Sequence, residues 1–189
     1  MTYQTNNPIN GQSHFEFVSN ASYTAIAWIG LFELNAYLFE GLVVNENVSW
    51  VFLPAVVRIL AVLLAGYAGV IGLFVGALFT NLPINSVELI DVLALTSLTA
   101  LNPLLAVWLL VRYFGLKTDL SDLRWWHLIA FATAGAISNV VLTQTYLAHS
   151  LRQEVASGSW LPMLVGDLVG TFMMLYAASF FVRLAAKLR

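Results

Sequence analysis

Charged and amide side chains interrupt several long apolar stretches of this sequence. The candidates for a binding site are Glu33, Glu40, Arg58, Asn139, Gln144 and Asp167. A charge or an amide in such apolar surroundings is costly unless it has a partner, so these residues indicate either an ion pair or a ligand site. Because both signs of charge are present, the ligand expected is a small polar or zwitterionic molecule.

Arg58 and Asp167 occupy equivalent positions in two different apolar stretches. Each lies roughly six or seven residues from one end of its stretch, a depth of about 10 Å in a helix. We therefore predict that the two side chains form a salt bridge. The sequence leaves two roles open for this pair, which are to lock two helices together and to contact a ligand directly.

The remaining polar residues favour structural roles. Glu88 and Asp91 are expected in the first turn of a helix, where the helix dipole favours acids, and His149 at a membrane interface. The chain has no cysteine, no spacing typical of metal ligands and no catalytic signature. We expect no metal, no cofactor and no enzymatic activity.

Composition identifies the environment of these residues. Of the 189 residues, 60% are hydrophobic and 10% are charged, whereas soluble domains carry about 25% charged residues. Continuous apolar runs of about 20 residues are long enough to cross a bilayer as helices. With a net charge of −2 and no basic stripe, nucleic acid is not an expected partner. We predict an all-α, polytopic transmembrane bundle embedded in the lipid bilayer.

The bundle is predicted to have about six spans, two of them short. They cover residues 23–44, 52–66, 69–82, 87–113, 125–149 and 160–184. Residues 1–22 are expected to form a polar tail, and residues 23–189 a single transmembrane domain. The two short spans flank the break Gly66-Tyr67-Ala68-Gly69, which predicts a buried helical hairpin.

Glycines four residues apart predict close backbone contacts. The pairs are Gly72/Gly76 in the third span and Gly166/Gly170 in the sixth. Such spacing is typical of membrane helices whose backbones approach one another.

Basic residues define the expected orientation. They cluster from the end of the fourth span to the start of the fifth and from the end of the sixth span onwards, at Arg112, Lys117, Arg124, Arg183, Lys187 and Arg189. Loops rich in Lys and Arg stay in the cytoplasm, so both termini are expected there. Most of the intramembrane polar residues then fall in the outer half, which predicts a cavity open to the non-cytoplasmic face.

Three stretches resemble a known family. They are Trp50–Gly66 followed by Gly72–Asn81, the basic loop Arg112–Arg124, and Gly166-Asp167-Leu-Val-Gly170. In this order they resemble the MASE-type membrane-associated sensor domains of bacteria, which have a Trp-Pro-Pro-Ala-Gly stretch, a glycine-bearing hairpin and a late Gly-Asp-x-x-Gly. In the stretch Trp50–Gly66 this chain departs from the pattern, because it has one proline, Pro54, instead of two, and Val56 where glycine is usual.

The resemblance implies a function. Members of that family usually precede histidine kinase or diguanylate cyclase domains, and they are similar to the vitamin-binding membrane subunits of energy-coupling-factor transporters. The expectation is a free-standing, multi-pass sensory module of a bacterial inner membrane. It would bind a small molecule from the outer face and signal through a cytoplasmic or membrane partner. The alternatives are a substrate-binding subunit of a small-molecule transporter and a ligand-free assembly or structural factor.

Overall fold

The protein is a bundle of long helices with one short β-ribbon. The computed structural model describes residues 13–45, 48–82, 88–116, 122–150 and 159–187. In chain order the elements are α1 His14–Phe39, a 3-10 turn Glu40–Leu42, β1 Val43–Asn45, β2 Val48–Ser49, α2 Ala55–Asn81, α3 Leu89–Phe114, α4 Trp125–Ser150 and α5 Trp160–Lys187. Five helices are long and apolar enough to cross a membrane. The fold is therefore an all-α, multi-pass membrane bundle.

The first helix starts earlier than its hydropathy indicates. α1 begins at His14, inside the segment predicted as a polar tail, of which residues 1–12 lie outside the described part of the chain. Ser13 Oγ accepts a hydrogen bond from the Glu16 N–H at 3.2 Å, and the Glu16 carboxylate accepts one from the Ser13 N–H at 3.1 Å. This reciprocal capping box fixes the helix start through local hydrogen bonds, independently of how apolar the first turns are.

The same helix also ends earlier than predicted. It stops at Phe39, and the chain then forms a ribbon in which Val43 pairs with Ser49 and Asn45 with Val48 in antiparallel register. β-Branched valines favour extended backbone, and here the cross-strand pairing replaces the last predicted helical turn. We call the end of the bundle that carries this ribbon the ribbon end.

α2 reverses direction within its length. Gly66 has φ 55° and ψ −126°, a conformation that side chains disfavour. A Cβ placed on Gly69 would lie 2.1 Å from the carbonyl oxygen of Ala61, although eight residues of straight helix span about 12 Å. The chain therefore folds back on itself, and α2 consists of two arms, as the predicted hairpin of short helices requires.

The second arm packs tightly and in parallel against α1. A Cβ on Gly72 would lie 2.3 Å from the Ala21 carbonyl oxygen, and one on Gly76 would lie 3.1 Å from that of Ala25. The glycines thus allow the two helix backbones to touch, as their spacing predicts. Leu73, between them, is fully buried.

The glycines of α5 contact an extended segment instead of a helix. Cβ atoms on Gly166 and Gly170 would lie 2.2 Å from the Ser49 carbonyl oxygen and 2.1 Å from that of Phe52. The Phe52 N–H donates to the Gly166 carbonyl at 3.0 Å. Residues 49–53 therefore run across α5, and this contact places the first turn of α2 beside Asp167.

Gly69→Ala should destabilise the protein, because its methyl group would collide with backbone that cannot move aside. We expect a loss of at least about 1–3 kcal/mol in the free energy of unfolding, the usual cost of overpacking. Gly30→Ala is the matched control, since a Cβ there meets nothing within 4 Å, and helix propensity should stabilise it by up to about 1 kcal/mol. Denaturant titration in detergent measures both variants. Equal stabilities would contradict the folded-back arrangement of α2.

Candidate functional site

A buried ion pair joins α2 to α5. Arg58 Nη2 lies 2.6 Å from Asp167 Oδ1, and the two residues are 6% and 4% exposed. Arg58 is in the first arm of α2 and Asp167 is between the two α5 glycines. The structure thus brings together the two residues that their equal depth in the sequence predicts to pair.

Asn139 extends this pair to a third helix. Its Nδ2 donates to Asp167 Oδ2 at 2.8 Å, and its Oδ1 accepts from Thr143 Oγ1 at 3.4 Å. Both oxygens of Asp167 are therefore hydrogen-bonded, one to a cation and one to an amide. The result is a buried polar cluster that ties α2, α4 and α5 together.

A cavity of about 300 Å³ lies beside this cluster at the ribbon end. This volume is at the lower end of the range of about 300–1,000 Å³ for small-molecule pockets. Its polar lining includes Asn35, Arg58, Thr80, Asn139, Thr143 and Asp167. Val43, Val48 and Ser49 of the ribbon also line it, so the ribbon forms part of its wall.

Aromatic rings form an apolar wall of the cavity. Phe52 makes edge-to-face contacts with Trp28 and Phe32, with ring centres 6.0 Å and 6.4 Å apart. The guanidinium carbon of Arg58 lies 5.3 Å from the Phe52 ring centre and 6.0 Å from that of Trp28. Trp28 is held by a hydrogen bond from Nε1 to Thr80 Oγ1 at 3.2 Å. The site therefore combines charge, amides and flat aromatic surface.

Two of the predicted site residues lie elsewhere. Glu33 on α1 and Glu40 in the 3-10 turn that follows are exposed and do not line the cavity, whereas the sequence predicts that they face inward. Asn35 takes the inward position instead and is 6% exposed. Positions 33 and 35 are about 200° apart around a helix, so they cannot both face the bundle.

Gln144 lies just behind the cavity wall. It is half-buried, and its Nε2 is 3.6 Å from the sulfur of Met163, which lines the cavity. Its Oε1 accepts a hydrogen bond from Ser159 Oγ at 3.5 Å. Gln144 therefore positions the wall and does not face the open space.

Trp28 and Asn35 are site residues that the sequence analysis did not select. They are seven residues apart and share the buried face of α1. The other five tryptophans lie near predicted span ends, at positions 50, 108, 125, 126 and 160. A tryptophan in mid-span with an amide on the same face is the signal that could have identified them.

The other polar residues have local partners. Asp91 is in the first turn of α3, as predicted, and accepts a short hydrogen bond from the Tyr146 hydroxyl. His149 is exposed in the last turn of α4 and contacts the Thr145 carbonyl through Nδ1 at 2.9 Å. Among the described residues, no three acids and histidines are grouped so that they could hold a metal ion.

Removing one partner of the ion pair should strand the other charge. Arg58→Ala and Asp167→Ala should each lower the free energy of unfolding by about 3–5 kcal/mol. The double variant should lose less than the sum of the two. The exposed Glu33→Ala serves as a control with a small effect. Unfolding titrations of the three variants in detergent give a double-mutant cycle. Strictly additive losses in the free energy of unfolding would show that the two side chains are not coupled.

No protein-family model, curated protein or solved structure matches the chain. The function is therefore inferred from the cavity and its side chains, and the resemblance to sensor domains stays a prediction.

Proposed function

We propose that this protein is a sensory membrane module that binds a small polar molecule in the cavity at the ribbon end and signals through a partner. The observation that carries this proposal is the cavity itself, a space of about 300 Å³ built around a buried charge pair. Arg58, Asp167 and Asn139 provide its polar contacts, and Trp28 with Phe52 provides its apolar wall.

The size of the cavity supports a ligand over a purely structural ion pair. Protein interiors are packed so densely that voids larger than a water molecule are few. The core of this bundle follows that rule at Leu73, Ala77 and Phe131, which are 0% exposed. An ion pair needs no open space beside it, and polar walls around open space need water or a ligand to satisfy them.

The charge distribution supports a binding site on the non-cytoplasmic side. α3, α4 and α5 each line the cavity near one helix end. An exposed arginine lies at the opposite end of each helix, at Arg112, Arg124 and Arg183. Basic residues favour the cytoplasmic side. With the two arms of α2 counted as two crossings, the chain has six crossings and both termini in the cytoplasm.

The depth of the cavity favours sensing over transport. On the side of the ion pair away from the ribbon, the cavity lined by Arg58, Asn102 and Thr171 has a volume of about 10 Å³. A transport subunit has to pass its substrate towards the other face, whereas a receptor needs only one opening. We therefore place the substrate-binding subunit of a transporter second.

α1 offers a surface for the signalling partner. α1 is the least buried of the five long helices, because only 17% of its most apolar 18-residue stretch is buried, and its outer face is exposed. That face carries Glu33, whose carboxylate would be costly to leave in contact with lipid. A membrane helix of a partner, with a hydrogen-bond donor or a basic residue opposite Glu33, would remove this cost.

Cysteine labelling tests both the cavity and its orientation, because the chain has no cysteine of its own. We expect Ala36→Cys, Thr99→Cys and Thr143→Cys, which replace cavity-lining residues, to react with an impermeant thiol reagent added outside intact cells. Arg112→Cys should react only after the membrane is permeabilised.

Glu40→Cys is the matched control, exposed near the ribbon end but outside the cavity. If Glu40→Cys reacts and the three cavity positions do not, the cavity is closed to the outside and the proposal is overturned. Labelling of Arg112→Cys from outside would reverse the orientation.

A further inference from the structure

The side chains that line the cavity differ in whether their hydrogen-bonding groups are already used. Asn35 accepts a hydrogen bond from the Leu53 N–H through Oδ1 at 2.8 Å. Only the amide oxygen can accept, so this contact fixes the orientation of the side chain. Its NH₂ group has no acceptor among the described residues, although Asn35 is buried against the cavity.

Arg58 also has N–H groups that are not used in hydrogen bonds to the described residues. A guanidinium group carries five N–H bonds, and among the described residues Arg58 makes one hydrogen bond, to Asp167. The nearest acceptors hold one hydrogen bond each, at the two oxygens of Asp167 and at Asn139 Oδ1. Asn81 Oδ1 is a further acceptor in the lining, and it makes no hydrogen bond among the described residues. The cavity thus presents N–H donors from Asn35 and Arg58 together with acceptor oxygens.

The charges at the site already balance. Arg58 and Asp167 form a neutral pair, and they are the two charged residues among the described residues that line the cavity. A ligand with a net charge would add a third charge with no counterion in surroundings of low dielectric constant, which is unfavourable. A neutral acceptor, such as a carbonyl oxygen, would satisfy the free N–H groups without this cost.

From these observations we infer that the ligand is an electrically neutral, flat molecule whose carbonyl oxygen accepts hydrogen bonds from Asn35 and Arg58. Its ring would lie against the wall formed by Trp28 and Phe52. The cavity volume of about 300 Å³ is at the lower end of the range for small-molecule pockets, which limits the ligand to a small ring compound. This inference rests on the proposed function and deepens it.

Four probes of nearly equal size test the inference: benzamide, benzoate, benzylammonium and toluene. Binding is measured by saturation-transfer NMR on the protein in lipid nanodiscs. Benzamide should bind most tightly, by about tenfold over toluene, the equivalent of one hydrogen bond. Asn35→Asp keeps the oxygen that accepts from Leu53 but removes the NH₂ group, and it should abolish the preference for benzamide. Glu33→Gln, on the exposed face of the same helix, should leave the ranking unchanged.

The outcomes separate this inference from the proposed function. Tightest binding of benzoate or benzylammonium, or equal binding of benzamide and toluene, overturns the neutral-acceptor inference and leaves a ligand cavity in place. Binding of none of the four at millimolar concentration contradicts the cavity as a ligand site, and with it the proposed function.

A second inference concerns the far side of the ion pair. Arg58 Nε and Asn102 Oδ1 are buried atoms with no hydrogen-bond partner among the described residues, and both residues line the same cavity of about 10 Å³. One atom is a donor and the other an acceptor, because Asn102 Nδ2 already donates to the Gly135 carbonyl. Asp167 and Thr171 line this cavity as well.

We propose that this small cavity is a site for one water molecule that accepts from Arg58 Nε and donates to Asn102 Oδ1. A volume of about 10–15 Å³ on this measure holds one water, and buried waters make about three hydrogen bonds. The bridge would connect the ion pair to α3 beside Pro103, where the helix lacks a backbone N–H.

An experimental density map of the protein in nanodiscs, at a resolution that shows ordered waters, tests this bridge. The expected result is a peak within about 2.7–3.2 Å of both atoms. A direct Arg58–Asn102 hydrogen bond, or no density between the two side chains, overturns the proposal.

Discussion

A buried guanidinium needs a carboxylate, and this requirement organises the site. Arg58 lies in apolar surroundings where an unpaired charge would be very costly, and Asp167 is its counterion at 2.6 Å. The approach of Arg58 to Asp167 depends on a backbone contact. Gly166 and Gly170, on either side of Asp167, leave room for residues 49–53 to cross α5. That segment leads directly into the first turn of α2, so Arg58 lies at the same depth in the bundle as Asp167. Asn139 then occupies the second carboxylate oxygen from α4.

The buried ion pair and the cavity beside it lie towards the ribbon end of the bundle. The cavity is lined by α1, the ribbon and the other helices, while Leu73, Ala77 and Phe131 pack without exposure elsewhere in the core. The core around Leu73, Ala77 and Phe131 is densely packed. The ribbon end instead has polar groups that could form hydrogen bonds with a small molecule. This division of the bundle into a packed part and an open part is consistent with the proposed binding of a small molecule.

The sequence predicts those features that depend on composition, depth and spacing. Hydropathy identifies the long helices, equal depth identifies the Arg58–Asp167 pair, and short spans around Gly66 identify the folded-back α2. Hydropathy misses both ends of α1. The Ser13 cap starts α1 in a segment of low hydropathy, although Ser13 and Glu16 have the Ser-x-x-Glu spacing of a capping box, and the ribbon depends on the pairing of two short strands. The assignment of Glu33 in place of Asn35 shows that polarity alone does not fix which face of a helix is buried.

Arg58 holds a position from which binding can be transmitted. It lines both cavities, pairs with α5 and stands between the aromatic wall and Asn102. A ligand can shift a protein between two arrangements only by binding one of them more tightly. A carbonyl oxygen that hydrogen-bonds the guanidinium would favour the arrangement in which its free N–H groups face the ligand cavity. Any turn of the guanidinium towards the ligand would change its contacts with Asp167 on α5 and, through the proposed water, with Asn102 on α3. Both of those helices run on to the basic end of the bundle, so under the proposed function Arg58 would both contact the ligand and change the contacts of helices that reach that end.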